Sequence, residues 1–174
     1  MQYVDVASRL LLLTVFALAL GSKVSSRGAW NEFVRSIRTM AVIDNTKAPA
    51  AAVATAVAEA GVIVLAVIPL RWAGSLSFVL AAGLLGCLTV AVVMVVRRGA
   101  AVPCRCFGAS TTPLGVEHVV RNGILIAIAL LGLGASLVNG SFEPGFGVVA
   151  GVFGAVLGVL MSRWDDLVSL LRTS

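Results

Sequence analysis

The chain has 174 residues, of which 59% are hydrophobic and only 12% are charged, and its mean hydropathy is +1.04. A soluble domain carries about 25% charged residues, so this composition excludes a soluble globular protein and predicts an integral membrane protein. The net charge of +5 would suggest nucleic acid as the partner of a soluble protein; because the basic residues lie between apolar runs here, lipid headgroups are the better counterpart.

Apolar runs predict five membrane spans within one transmembrane domain, residues 1–174. The triplet Ala17-Leu18-Ala19 is typical of a signal-peptide cleavage site, but the first eight residues contain Asp5 and no Lys or Arg. We therefore predict a transmembrane helix there. The predicted fold class is all-α: a four-helix transmembrane bundle plus a fifth, glycine-faced span. The spans cover about 4–21, 48–70, 75–96, 113–138 and 146–161.

Glycine recurs every three or four residues along the fifth span, which predicts close packing against another helix. Two further segments, about 29–43 and the tail 162–174, have apolar residues at i, i+3, i+4 and i+7. Basic residues lie opposite the first stripe, which predicts a helix in the membrane interface; a helix docked on the protein is the alternative. The glycines are Gly147, Gly151, Gly154 and Gly158, and the stripes are Trp30, Phe33, Val34 and Ile37, then Trp164, Leu167, Val168 and Leu171.

Glu59 lies near the middle of the second span. A carboxylate at that depth is costly and normally faces the interior of the bundle, where it is paired or protonated. Two interpretations stay open. In the first, Glu59 has a functional role and handles protons or binds a ligand. In the second, Glu59 forms a structural ion pair with either Lys23 or Arg121.

Cys104 and Cys106 stand one residue apart in the segment between the third and fourth spans. Such a dithiol serves as a redox centre or as half of a soft-metal site, and Arg105 between the two sulfurs favours the reactive thiolate. A disulfide between these cysteines closes a very small ring, and strained disulfides are readily reduced. The alternative is a surface loop with two incidental thiols. Cys87 lies inside the third span, where a free cysteine behaves as a small hydrophobe.

A polar cluster opens the fourth span, close in sequence to the dithiol: Glu117, His118, Arg121 and Asn122. Glu117 with Arg121, and His118 with Asn122, are i,i+4 neighbours on a helix. His118 is the only histidine. It is a candidate for proton exchange with a cysteine or for metal binding, and a hydrogen-bonded interfacial histidine is the alternative.

Five short stretches follow one another along the chain: Gly21-Ser22-Lys23, the aromatic-bearing segment around Phe33, Glu59-Ala60-Gly61, Cys104-Arg105-Cys106-Phe107-Gly108 and Arg121-Asn122. By these stretches the chain resembles, from about Leu18 to Leu133, the MauE/DoxX group of redox-associated membrane proteins, specifically its methylamine-utilisation MauE branch. Arg105 stands where the family pattern often has a small residue, which alters the surroundings of the thiols.

The resemblance implies a membrane thiol–disulfide oxidoreductase, or the membrane subunit of one. Cys104 and Cys106 would exchange disulfides with a thioredoxin-like partner to support disulfide formation in a client protein, with Glu59 or His118 handling protons. The order of spans is also similar to that of DsbB and vitamin K epoxide reductase, which pass electrons to a quinone. Those enzymes generally use a second cysteine pair, which this chain lacks in its first loop. A quinone is therefore a candidate acceptor, and no cofactor is assigned.

Two other functions stay open. Cys104, Cys106 and His118 are soft ligands that suit copper(I), whereas two cysteines and one histidine are an incomplete zinc set; no metal is assigned. A non-catalytic membrane scaffold for a redox enzyme is the other alternative.

The charge distribution and the resemblance disagree about orientation. With five spans, ten cations share the side of the dithiol, and only Arg9 and Arg71 lie on the other side. The positive-inside rule would put the dithiol in the cytoplasm, where thiols are kept reduced. The role implied by the family requires the extracytoplasmic face. We predict a multi-pass protein of the inner or plasma membrane with the dithiol outside, because a dithiol oxidant has little use in the cytosol.

Overall fold

The computed structural model describes residues 1–99, 115–138 and 144–164, and these residues form six helices. Five of the six are long and apolar enough to cross a membrane, the exception being α2. Within these ranges no strand occurs, and the prediction of an all-α integral membrane protein is confirmed. The helices are α1 (Gln2–Val24), α2 (Arg27–Met40), α3 (Ala48–Val67), α4 (Arg71–Arg97), α5 (Val116–Leu137) and α6 (Pro144–Ser162).

The break between α3 and α4 falls earlier in the chain than the hydropathy indicates. The predicted third span starts at 75, whereas α4 already begins at Arg71. Pro69 explains the difference, because proline disfavours helical geometry in the residue before it. Ile68 accordingly has extended backbone angles and ends α3.

The main core lies between α1, α3, α4 and α5, which supply Phe16, Val62, Phe78 and Leu125 as fully buried side chains. Lipid tails are as apolar as these residues, so close packing and interhelical hydrogen bonds hold membrane helices together. One such bond joins α4 to α3, where Ser77 donates to the carbonyl oxygen of Val62 at 3.1 Å. The bundle is therefore fixed by contacts that a uniformly apolar sequence would lack.

The glycine face of α6 packs on α1, as predicted. All four glycines of that face are buried, while most of the residues between them are exposed. A Cβ added at Gly154 would overlap the backbone carbonyl of Ala7, and one at Gly158 would lie 2.8 Å from the carbonyl oxygen of Leu11. The two backbones thus approach more closely than any side chain on that face would permit.

Helix α2 lies against the beginning of α3. Phe33 and Val34 are buried against Ala52, and Trp30 and Ile37 complete the contact. The apolar stripe therefore docks on protein, and the opposite face remains exposed and basic. The exposed cations are Arg27, Arg35 and Arg38.

The two ends of the bundle differ in composition. We call one of them the α2 end: it brings together α2, the end of α4 and the start of α5, where Met40, Val92 and Val95 pack with Val119. Arg98, which follows α4, donates to the carbonyl oxygen of Ala41 at 2.9 Å. The far end comprises the start of α1, the α3–α4 turn and the end of α5. The chain thus leaves α4 and re-enters α5 at the α2 end.

Candidate functional site: a buried polar cluster at the α2 end

Glu59 is completely buried, and its Oε1 accepts a hydrogen bond from the ammonium group of Lys23 at 2.5 Å. This confirms that the carboxylate faces the protein interior and lies beside a cation. Of the two structural partners left open by the sequence, Lys23 is the one in direct contact. The pair joins the last turn of α1 to the middle of α3.

Lys23 also contacts α2. Its Nζ lies 5.0 Å from the centre of the Phe33 ring, a distance at which the ring face attracts a cation. Lys23 itself is only 2% exposed. One ammonium group therefore links three helices, and the docking of α2 closes the ion pair off from solvent.

Helix α5 contributes Arg121 and Asn122, each 2% exposed. The Arg121 charge acts electrostatically on Lys23, so two cations and one carboxylate share this region. Glu59 Oε2 and Asn122 Oδ1 are buried and have no hydrogen-bond donor among the residues described. Buried oxygens normally have a donor, so these two atoms are where a water molecule, a proton or a polar ligand would bind.

His118 is buried near the start of α5. Its Nδ1 accepts a hydrogen bond from the backbone N–H of Gly115 at 3.4 Å, which satisfies a donor that the helix start would otherwise leave open. This contact agrees with the alternative interpretation of His118 as a hydrogen-bonded interfacial histidine. With Nδ1 accepting, the proton of the neutral ring belongs on Nε2, which leaves Nε2 as a proton donor.

Cys104 and Cys106 lie outside the described residues, so the dithiol stays a prediction. Within residues 1–99, 115–138 and 144–164 no group of three or more His, Cys, Asp or Glu side chains could hold a metal ion. Cys87 lies on α4 and is exposed.

Sequence reasoning missed the contact between Phe33 and Lys23. The sequence assigns Phe33 to the α2 stripe and to the family pattern, but nothing in the spacing relates it to a lysine ten residues earlier. A lysine at the end of an apolar span, shortly before an aromatic stripe, is the signal that could have suggested the contact.

The fold and the site define a multi-pass, all-helical membrane protein with a buried ionic cluster at one end of its bundle. Comparison with family models matches residues 1–135 to the family described as methylamine utilisation protein MauE. Since the match covers more than three quarters of the chain, the protein belongs to the MauE family, and the predicted resemblance is confirmed. Comparison with curated proteins and with solved structures gave no match. The matched region contains the whole polar cluster together with Cys104 and Cys106, whereas α6 lies beyond it.

Proposed function

We propose that this MauE-family protein is a membrane thiol–disulfide oxidoreductase, or the membrane subunit of one. Cys104 and Cys106 exchange disulfides with a thioredoxin-like partner and so support disulfide formation in a client protein. Family membership supports the membrane setting, and the Cys-x-Cys element supports the chemistry.

The observation that carries the proposal is the position of the buried cluster. Lys23 and Arg121 lie at the α2 end, where the chain leaves α4 and re-enters α5, and Lys23 reaches from there to Glu59 in the middle of α3. Residues 98–115, which connect these two helices and include the dithiol, therefore begin and end at the α2 end. Buried charges inside a membrane protein are costly and commonly mark functional sites.

The exchange proceeds in two thiol steps. A thiolate of the partner attacks one sulfur of the Cys104–Cys106 disulfide and forms a mixed disulfide, and the second thiolate of the partner then displaces the cysteine of this chain. The partner ends with a disulfide, and Cys104 and Cys106 end as thiols, so two electrons and two protons have moved. Glu59 and His118 are the groups we propose to carry these protons.

Single cysteine variants test the exchange directly. Cys104→Ser or Cys106→Ser should trap a mixed disulfide with the oxidised partner, because the remaining thiolate can attack the partner's disulfide while the second thiol of this chain, which would release the partner, is missing. The adduct would be detected by non-reducing electrophoresis and mass spectrometry. Cys87→Ser, the matched control, should leave the wild-type pattern unchanged.

Two results would contradict the proposal. If neither single variant forms an adduct and alkylation shows both thiols permanently free in cells, disulfide exchange is ruled out. If the double Cys104→Ser/Cys106→Ser variant supports the client as well as wild type does, the protein acts as a scaffold.

The proton role of Glu59 needs its own measurement. Glu59→Gln keeps the shape of the side chain but removes the ionisable group, so it should lower the exchange rate and change its pH dependence. Full activity across the pH range would leave Glu59 with a structural role alone.

A further inference from the structure

A cavity of about 450 Å³ opens at the far end of the bundle, away from the ionic cluster. It lies between the first turns of α1, the α3–α4 turn and the end of α5. Its polar lining includes Asp5, Arg9 and Arg71, and its apolar lining includes Val6, Val67 and Val138. The cavity therefore combines charged groups with apolar side chains at one end of the bundle.

Arg9 is fixed in position by three elements. Its Nε lies 3.3 Å from a carboxylate oxygen of Asp5, and its Nη1 donates to the carbonyl oxygen of Ile68 at 3.3 Å. The guanidinium lies so close to Gly74 that a Cβ there would overlap it. A guanidinium has five N–H donors, and the contacts recorded with described residues engage two of its nitrogens.

Arg71 brings a second positive charge to the same cavity, and its charge also acts on Asp5. Among the described residues these two arginines are the only Lys or Arg at the far end, yet both line one cavity. Two guanidinium groups and one carboxylate leave an excess of one positive charge. An excess of positive charge beside apolar side chains favours binding of an anionic partner.

We propose that this cavity binds the headgroup phosphate of an acidic phospholipid. Arg9 and Arg71 face the phosphate, and the valine side chains contact the first carbons of the acyl chains. Guanidinium groups suit phosphate because several N–H donors can reach its oxygens together. The apolar lining favours a lipid over free phosphate, since a free anion gains nothing from contact with valine side chains.

The site can be tested with the full chain in vesicles of equal phosphatidylglycerol and phosphatidylcholine that contain a photoactivatable phosphatidylglycerol. Cross-links to the peptide of residues 1–9 would be quantified by mass spectrometry. A basic residue near an anionic lipid surface contributes about 1 kcal/mol, so Arg71→Gln should lower this cross-linking about five-fold. Arg71 is exposed, and its replacement should leave the fold intact. Arg27→Gln removes the same charge from exposed α2 and should leave cross-linking at this peptide unchanged.

Three outcomes would overturn the assignment. The first is an equal yield from Arg71→Gln and Arg27→Gln. The second is an equal yield from a photoactivatable phosphatidylcholine, since the excess positive charge would then not distinguish an acidic phospholipid from a zwitterionic one. The third is loss of the cross-link on addition of inorganic phosphate, which would assign the cavity to a free anion.

Discussion

The ammonium of Lys23 and the carboxylate of Glu59 have both been removed from water, and their mutual attraction must offset that cost. Such pairs contribute little net stability in comparison with well-packed apolar residues, whereas removal of one partner alone is strongly destabilising. The contact of Lys23 with Phe33 adds an attraction that does not depend on Glu59. The geometry of the cluster therefore depends on both charges being present together.

Glu59→Gln should lower the free energy of unfolding by about 3–5 kcal/mol, because it leaves the Lys23 ammonium buried without its counter-charge. Thermal or chemical unfolding in mild detergent would measure the loss. Glu32→Gln, a matched change on the exposed face of α2, should alter stability by about 0.5 kcal/mol or less.

The double variant Lys23→Met/Glu59→Gln completes the cycle, since it removes both charges. It should be more stable than Glu59→Gln alone, and the coupling between the two side chains is its loss of stability minus the losses of Glu59→Gln and Lys23→Met measured singly. If the two single losses simply add in the double variant, the ion pair has no energetic role.

The sequence predicted the burial of Glu59 but not its partner. A carboxylate in an apolar span must face inward whatever the arrangement of the helices. Lys23 and Arg121 were equally eligible as partners, because the choice depends on how α1 and α5 pack beside α3. That information is tertiary, and no local pattern contains it. The dithiol is the reverse case, since its chemistry is a prediction from two cysteines one residue apart, while its geometry lies outside the described residues.

Among the helices, the contact of α6 with α1 was the most predictable from the sequence, because it depends on a repeat within one element. Glycine at four positions of one face can only serve close packing, and the structure places Gly154 against the backbone of Ala7. The start of α4 was less predictable. Hydropathy averages over several residues and cannot register a single break at Pro69.

Gly154→Ala should destabilise the protein, because the added methyl group can be accommodated only if α6 moves away from α1. Gly83→Ala is the matched control. Gly83 lies within α4, where an added methyl group would have no atom within 4 Å, and alanine there should stabilise the helix by up to about 1 kcal/mol. Unfolding in detergent should thus give shifts of opposite sign. A shift of the same sign and size in both variants would contradict the proposed packing.

Docking of α2 should depend partly on the charge of Lys23. Phe33→Leu keeps an apolar side chain of similar reach but removes the ring face, so it should cost about 1 kcal/mol beyond the change in packing. The same substitution in a Lys23→Met background should cost less. An equal cost in both backgrounds, measured by unfolding in detergent, would show that the ring contributes by packing alone.

On the scale of the whole molecule, the two ends of the bundle have different electrostatic character. The α2 end carries most of the cations, on α2 and after α4, together with the buried cluster. Within the described part of the chain the far end has two arginines, and both line one cavity. The positive-inside rule places the more basic end of a membrane protein in the cytoplasm, which here is the α2 end. Disulfide exchange requires the opposite orientation, with the α2 end outside the cytoplasm.

Reporter cysteines at the two ends decide the orientation without depending on the reactivity of the dithiol. Asn45→Cys, in the exposed connection between α2 and α3, reports the α2 end, and Trp72→Cys, at the exposed start of α4, reports the far end. Both would be placed in a background in which the three natural cysteines are serine. If the dithiol works outside the cytoplasm, an impermeant maleimide should label Asn45→Cys in intact cells and Trp72→Cys only after permeabilisation. The reverse pattern would show that the cations determine the orientation. Cys104 and Cys106 would then lie in the reducing cytosol, where a dithiol that donates its disulfide could not be maintained.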